Sequence, residues 1–356
     1  MLKDNENVSL PIMLTDAPES TSGPQPFAPD QMVACEECLR TNPPTRVNCI
    51  YCGTVLPLNE TTASLQKPTL RRLEKWELGY NNILVLSSAN APATPAESAL
   101  AEAADLLKLA PDDLVRIISR GLPLPLARAA TLDEASLVER RLAGLGIQTR
   151  IVADVDLGVN ETGPVRIRAM EFDETGFRAY QAPESLPVEV RWTELGLVVV
   201  GRLITTRVEM KEQQAAHAEN RILDSSEFFS DEVVFEFYAA NQPSPFRVAA
   251  TSFDFSSLGQ RKRLVSGENM TTLLEIFREH AAHVEVDDSY TSLRKVLEPV
   301  WPTEQQNESS GWRRERPGKY SIGSIIEKNN ETQFMRYSLL RHYAHQEKRA
   351  SPNENS

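Results

Sequence analysis

The sequence lacks several features that whole classes of protein require. Four cysteines in 356 residues are too few for the disulfide framework of a secreted scaffold. No apolar run approaches the roughly 20 residues of a membrane span, and residues 1–20 have neither the basic start nor the apolar core of a signal peptide. Lys and Arg number 38 against 50 Asp and Glu, and this net charge of -12 disfavours a general nucleic-acid or membrane binder. We therefore expect a cytoplasmic protein without a membrane partner.

Signatures of catalysis are also missing. The chain contains no H-E-x-x-H, G-x-S-x-G or Walker A motif. Two histidine pairs, His280/His283 and His342/His345, have the i, i+3 spacing that can share a metal ion. Neither pair has an evident carboxylate partner and each falls on a polar helix face, so we expect surface positions. We predict that the protein is not an enzyme and takes no small-molecule substrate; an active site assembled from distant residues is the alternative.

The acidic surplus is concentrated in two parts of the chain. Residues 155–283 carry 13 basic and 20 acidic side chains, and residues 1–30 carry one and five. Residues 1–30 are rich in Pro, Ser and Asp without a sustained period, and so are predicted to be disordered. The polar segments 302–318 and 348–356 are predicted to be a flexible loop and a disordered end for the same reason.

The four cysteines form two pairs, Cys35-x2-Cys38 and Cys49-x2-Cys52, within eighteen positions. Thiolates at i and i+3 bind one ion when the backbone between them turns tightly, and two such turns complete a tetrahedral site. Gly53 suits the positive φ of such a turn. We predict one structural Zn²⁺ ion, since all four ligands come from the protein and none is left open for catalysis. A recognition surface around the ion is the alternative role.

The residue between the pairs extends the pattern. Asn42 completes C-x2-C-x3-N-x6-C-x2-C, and over residues 32–57 the chain resembles the short bacterial zinc ribbons and the Ran-binding-protein type of zinc finger. Finger members that bind ubiquitin have Thr-Phe after the second cysteine, where this chain has Leu39-Arg40. Members that bind single-stranded RNA have Trp two residues before the first cysteine, where this chain has Val33. The resemblance therefore favours the bacterial ribbon and implies a zinc-stabilised module.

Residues 76–154 show the order strand, helix, helix, strand, helix, strand. The pattern places strands at 82–86, 122–130 and 147–152, and helices at 98–109, after 110 and after 131. Two prolines suggest that the second strand is an edge or carries a bulge, and Thr131-x-x-Glu134 is a capping box. The order is similar to the C-terminal domain of the bacterial ribosomal stalk protein, and this resemblance implies a module that docks a partner.

Residues 163–283 alternate with period two through about seven strands and end in an amphipathic helix at 269–280. We expect residues 211–230 to be a polar insertion between strands. The element order is similar to the pleckstrin-homology-like barrel, in which the helix closes one open end; an unrelated α+β sandwich is the alternative. Phosphoinositide-binding relatives use a basic loop between the first strands, whereas the turn at 173–176 is Asp-Glu-Thr-Gly. The resemblance therefore implies a protein partner rather than a lipid.

Two arginine clusters, 261–263 and 313–316, are the remaining candidates for phosphate contact, although such runs are more often solvated. Asp287 and Asp288 are expected to cap a helix that runs to Leu297, and residues 331–345 form a further amphipathic helix.

The predicted fold class is a multidomain α+β protein with disordered ends. Its predicted parts are a tail (1–30), a zinc ribbon (31–57), a linker (58–75), a small βααβαβ module (76–154), a β-rich barrel-like domain closed by a C-terminal helix (155–283), a helical extension (284–347) with a flexible loop (302–318), and an end (348–356). We predict a zinc-binding, non-catalytic scaffold or regulatory protein that binds other proteins. The alternative is a nucleic-acid-associated zinc-ribbon factor.

Overall fold

The computed structural model describes residues 27–44, 46, 48–54, 56–57, 68, 70–74, 76–86, 95–159, 163–213, 221–316 and 319–350. The chain divides into two compact units, residues 1–67 and residues 68–356. Most of the predicted tail (1–30), most of the linker (58–75) and the end from residue 351 lie outside the described residues. The α+β class predicted from the sequence is confirmed by helices and mixed sheets in the second unit.

The first unit is small and has little apolar core. Strands β1 (Val33–Ala34) and β2 (Thr41–Asn42) pair antiparallel. Its buried apolar cluster contains four residues: Val33, Cys35, Cys49 and Leu56. So few buried side chains cannot offset the chain entropy of folding, so this unit depends on a cross-link for its stability.

The second unit begins with the strand and helix order expected for residues 76–154. The elements are β3 (Tyr80–Leu84), α1 (Glu97–Leu107), α2 (Pro111–Ser119), β4 (Pro125–Ala129), α3 (Leu132–Gly144) and β5 (Thr149–Ala153). The sheet order is β4-β3-β5 and both pairings are antiparallel. The proline-containing strand is thus an edge, as predicted. Helix α3 begins as expected, because the Thr131 side chain accepts a hydrogen bond from the backbone N–H of Glu134.

The rest of the unit contains two further sheets. Its strands are β6 (Val165–Ile167), β7 (Ala169–Phe172), β8 (Gly176–Tyr180), β9 (Val188–Arg191), β10 (Leu195–Gln213), β11 (Arg221–Ala239), β12 (Phe246–Ala249), β13 (Glu285–Asp287), β14 (Glu304–Arg316) and β15 (Lys319–Asn329). Its helices are α4 (Ser266–His280), α5 (Tyr290–Leu297) and α6 (Glu331–Ala350). One sheet has the order β14-β15-β10-β11-β12-β6, with β13 parallel to β10, and the other has the order β7-β8-β9.

Strands β10 and β11 supply side chains to two different cores, because successive side chains of a strand point to opposite faces. Val198 and Phe235 pack with the three-stranded sheet β7-β8-β9 and with Phe277 of α4. Leu197 and Val199 pack with residues of β3, α2, α5 and α6. Helix α4 therefore packs on the β-rich part, and segment 76–154 shares one core with the helices of the C-terminal segment. The likeness to a pleckstrin-homology-like barrel stays a prediction.

Two predictions of irregular structure are wrong. Residues 302–318 are not a flexible loop, since Glu304–Arg316 is a strand that pairs with β15. The polar insertion expected at 211–230 is also largely strand, because β10 extends to Gln213 and β11 begins at Arg221. These strands extend away from both cores, so their sequences lack the apolar alternation that marks a half-buried strand. Helix α6 continues to Ala350, beyond the start of the predicted disordered end at 348.

Candidate metal centre

The four cysteine sulfurs converge in the first unit. All four Sγ atoms lie within 4.8 Å of one another. The Sγ atoms of Cys35 and Cys52 are 3.5 Å apart, as are those of Cys38 and Cys49. A tetrahedral zinc–thiolate centre with bonds of about 2.3 Å places its sulfurs about 3.8 Å apart. The four residues predicted from the sequence are therefore arranged to hold one metal ion.

The two cysteine turns, or knuckles, have the same backbone hydrogen bonds. In each, the N–H four residues after the first cysteine donates to that cysteine's carbonyl oxygen, at 2.9 Å from Leu39 and 2.9 Å from Gly53. The cysteine N–H donates to the carbonyl five residues on, at 3.0 Å to Arg40 and 2.8 Å to Thr54. Both knuckles need a positive φ at the residue after the second cysteine, where Leu39 has 59° and Gly53 has 78°. Glycine adopts this conformation freely, whereas leucine is strained in it.

Asn42 connects the two knuckles. Its side chain is fully buried, and its Nδ2 donates to the carbonyl oxygen of Arg40 at 3.0 Å and lies 3.5 Å from the Sγ of Cys49. Its Oδ1 accepts a hydrogen bond from the backbone N–H of Ile50 at 2.9 Å. One amide thus contacts the backbone of both knuckles and a sulfur, which explains why asparagine stands between the cysteine pairs.

Hydrogen bonds favour the thiolate form at two of the four sulfurs, since those of Thr54 lower the pKa of Cys52 and others lower that of Cys49. Burial raises the pKa of the Cys49 thiol, but hydrogen bonds from the backbone N–H of Tyr51 and from Asn42 outweigh it and lower the pKa to about 6. The backbone N–H of Arg40 lowers the pKa of Cys38, but burial and the other cysteine sulfurs outweigh it and raise the pKa to about 12. The Cys49 thiol therefore ionises more readily than the Cys38 thiol. A metal ion binds the thiolate form of cysteine.

Three large apolar side chains are exposed on the knuckles. Leu39 is 80% exposed, Ile50 52% and Tyr51 53%; we call these three residues the knuckle surface. The guanidinium carbon of Arg40 lies 4.8 Å from the ring centroid of Tyr51. The sequence pattern does not indicate this surface, because the knuckle motif fixes only the cysteines and the asparagine.

The histidine pairs differ in their positions. His280 and His283 are exposed, as expected. The surface position expected for the second pair is wrong: His342 is half-buried and its ring stacks on a tyrosine ring, and the Nδ1 of His345 lies 3.1 Å from a carboxylate oxygen of Glu285. Both pack against strands of the large sheet, which periodicity within one helix does not reveal. Within the described ranges, the four cysteines are the one group of three or more residues placed to hold a metal ion.

The basic and acidic clusters have structural partners. Arg261 forms ion pairs with Glu275 at 3.1 Å and with Glu279 at 2.9 Å. Asp287 accepts a hydrogen bond from the backbone N–H of Ser289, the N-cap residue of α5, but no side chain of the described residues caps the first turn of this helix, so the capping predicted for Asp287 and Asp288 is wrong. The side chains of the cluster at 313–316 lie outside the described residues.

No protein-family model, curated protein or solved structure matches the chain. The resemblance to zinc ribbons therefore depends on the residues of the motif themselves. None of the helices that the described residues form has the length and apolar character that crossing a membrane requires.

Proposed function

We propose that the four cysteines bind one structural zinc ion and that the chain is a non-catalytic protein that binds other proteins. Both parts of this proposal are supported by the first unit, in which four cysteine sulfurs converge and the apolar core has only four residues. Large apolar side chains are exposed on the turns that hold these sulfurs. A set of four cysteine sulfurs is typical of structural zinc. Because every ligand is a protein side chain, the ion serves as a cross-link rather than a reaction centre. A reducing compartment keeps these thiols available, which supports a cytoplasmic location.

Metal binding is tested by measuring the metal content of the purified chain. We expect one zinc per chain in the unchanged protein and none in Cys49→Ser, because three sulfurs no longer complete the site. Thr41→Ser is the matched control: it changes an exposed hydroxyl residue on β2 and leaves all ligands in place. Cys49→Ser protein that retained one zinc per chain would contradict the proposed site, and another metal bound in its place would contradict the assignment as zinc.

The knuckle surface supports a protein partner. Exposed leucine, isoleucine and tyrosine side chains bury apolar area when they meet a protein, whereas phosphate contact depends on cations. Leu39 also has a strained backbone conformation, although its side chain is largely exposed and so makes little apolar contact within the first unit. Strain of this kind is concentrated at functional sites.

Affinity purification from the native cell tests this role. The variant Ile50→Ser/Tyr51→Ser should retain its zinc and lose the partner, because both substitutions remove apolar contact area and keep the knuckle backbone. Leu186→Ser is the control, since Leu186 is 91% exposed and lies in the second unit. If the unchanged protein, the Ile50→Ser/Tyr51→Ser variant and the Leu186→Ser control all recovered the same proteins in equal amounts, the role of the knuckle surface would be contradicted. Recovery of RNA or DNA that is lost at high salt would support the nucleic-acid-associated alternative instead.

A further inference from the structure

The second unit contains a cavity of about 270 Å³ between the segment that precedes β3, the start of β14 and helix α6. Three arginines line it, Arg72, Arg128 and Arg336, together with the tryptophans Trp76 and Trp301. Trp76 is 76% exposed, an unusual position for the largest apolar side chain. The cavity therefore combines fixed cations with an uncovered aromatic ring.

The floor of the cavity has one more positive charge than negative. The side chains of Arg128 and Arg336 are 8% and 5% exposed, and both bind the carboxylate of Asp154 at 2.6 Å. That carboxylate is completely buried and also accepts hydrogen bonds from the backbone N–H of Gly79 and the side chain of Asn81, at 2.9 Å each. One carboxylate is thus shared by two guanidinium groups. A buried charge that lacks its own counterion gains most from an additional anion.

The electrostatics of Arg336 agree with this surplus. Burial lowers the pKa of Arg336 and the neighbouring Arg128 lowers it further, and the attraction of Asp154 and of the cavity-lining Glu304 does not fully offset these effects. Within the described contacts, Arg336 donates one hydrogen bond, from Nη1 to Asp154. Arg336 also lines the wall of the cavity.

Acidic side chains also line the cavity, and they repel an anion and compete with it for the guanidinium groups. Glu304 is half-buried and accepts a hydrogen bond from the hydroxyl of Thr332, and Glu74 is exposed. Arg72 is exposed too, and its Nη2 donates to the carbonyl oxygen of Thr303 at 3.0 Å, which holds the guanidinium at the cavity mouth. Water screens the charges at the mouth more strongly than those on the floor. The floor therefore decides which ligand charge is favoured.

We propose that this cavity binds a small anion that carries a flat aromatic ring. The anionic group, a carboxylate or a phosphate, binds Arg336 and Arg72, because guanidinium groups match the oxygen geometry of both. The ring lies against Trp76, since aromatic faces stack in an offset arrangement. The volume is at the small end for ligand cavities, which suits one ring and one anionic group. This site is separate from the metal centre and does not depend on the function proposed for it.

Calorimetric titration of the full chain tests the proposal with four probes. Benzoate and phenyl phosphate carry both features, whereas acetate and inorganic phosphate lack the ring. We expect the probes with a ring to bind at least five-fold more tightly than the probes without one. Trp76→Ala should remove that advantage and leave acetate and inorganic phosphate unchanged. Tighter binding of benzoate or of phenyl phosphate identifies the anionic group as carboxylate or phosphate.

Two charge variants with opposite expected effects make the test specific. Arg72→Gln should weaken binding of the aromatic anions at least three-fold, and Glu304→Gln should tighten it, because Gln keeps an acceptor for Thr332 without the negative charge. Arg116→Gln is the matched control, an exposed arginine on α2 outside the cavity lining. Equal affinities for all three variants, or no heat of binding with any probe, would overturn the proposal.

Discussion

Replacing Leu39 with glycine should strengthen metal binding, although it removes an apolar side chain. Leu39 has a φ of 59°, the left-handed conformation that costs an L-residue about 1–2 kcal/mol. Its side chain is 80% exposed, so the packing lost on replacement is small. Glycine adopts the same φ without strain, as Gly53 does at the equivalent position of the second knuckle.

The expected magnitude is the difference between two effects. Relief of strain stabilises the folded knuckle by about 1–2 kcal/mol, and the greater freedom of glycine in the unfolded chain offsets about 0.4–1 kcal/mol of it. A net gain of about 0.5–1 kcal/mol remains. Folding of a small zinc module and binding of its metal are one equilibrium. The gain should therefore be measured as a roughly two- to five-fold higher zinc affinity.

Competition with a colorimetric zinc chelator measures this affinity. Gly53→Ala is the matched variant and should change the affinity in the opposite direction. A Cβ at Gly53 meets no atom within 4 Å, so its effect is the strain of the positive φ alone. If Leu39→Gly weakened zinc binding while Gly53→Ala left it unchanged, the equivalence of the two knuckles would be refuted. If Leu39 also contacts a partner, Leu39→Gly should reduce partner recovery while zinc affinity increases.

Three further outcomes are expected. Asn42→Ala should lower the zinc affinity about ten-fold in the same chelator assay, because it leaves backbone groups of both knuckles without their partner at about 1–2 kcal/mol. Gly201→Ala should lower the free energy of unfolding by about 1–3 kcal/mol, and with it the unfolding temperature, because the added Cβ would lie 2.3 Å from the ring of the buried Phe334. Gly144→Ala should leave both unchanged, because a Cβ there meets no atom within 4 Å. Burial and a neighbouring histidine lower the pKa of His342 to about 4 from 6.5. The unfolded chain therefore binds a proton in this range that the folded chain does not, so the free energy of unfolding should fall as the pH drops from 6.5 to 4. His342→Gln should make that fall shallower in urea titrations at several pH values.

The four-cysteine cluster is predictable from the sequence because its determinants are local. The ligands and the buried Asn42 lie within eighteen positions, and tight turns impose the observed spacing. The strain at Leu39 is not predictable from residue type, since leucine rarely adopts a positive φ. Helix α3 is likewise local: Thr131 and Glu134 supply its cap within one turn.

The polar strands and the cavity of the second unit show where sequence patterns fail. β14 and β15 satisfy each other's backbone groups away from both cores, so burial leaves no period-two apolar signal in their sequences. The arginines of the cavity floor are separated by 208 positions, at Arg128 and Arg336, and meet only because helix α6 packs near β4 and β5. Such a contact depends on the whole fold rather than on any local spacing.

The core that joins β3 to helix α6 has a consequence for how the chain folds as it is made. Ile83 and Phe334 belong to the same core although 251 residues separate them. A ribosome adds about 5–20 residues per second, so the earlier strand waits roughly 10–50 s for its partner helix to emerge. During that time the part of this core that α5 and α6 supply is missing, so the apolar side chains of β3, α1 and α2 are covered only by their neighbours within residues 76–154. We expect ribosome-bound chains that end before residue 331 to be held by chaperones and to be sensitive to protease, and chains that extend past Ala350 to be protected.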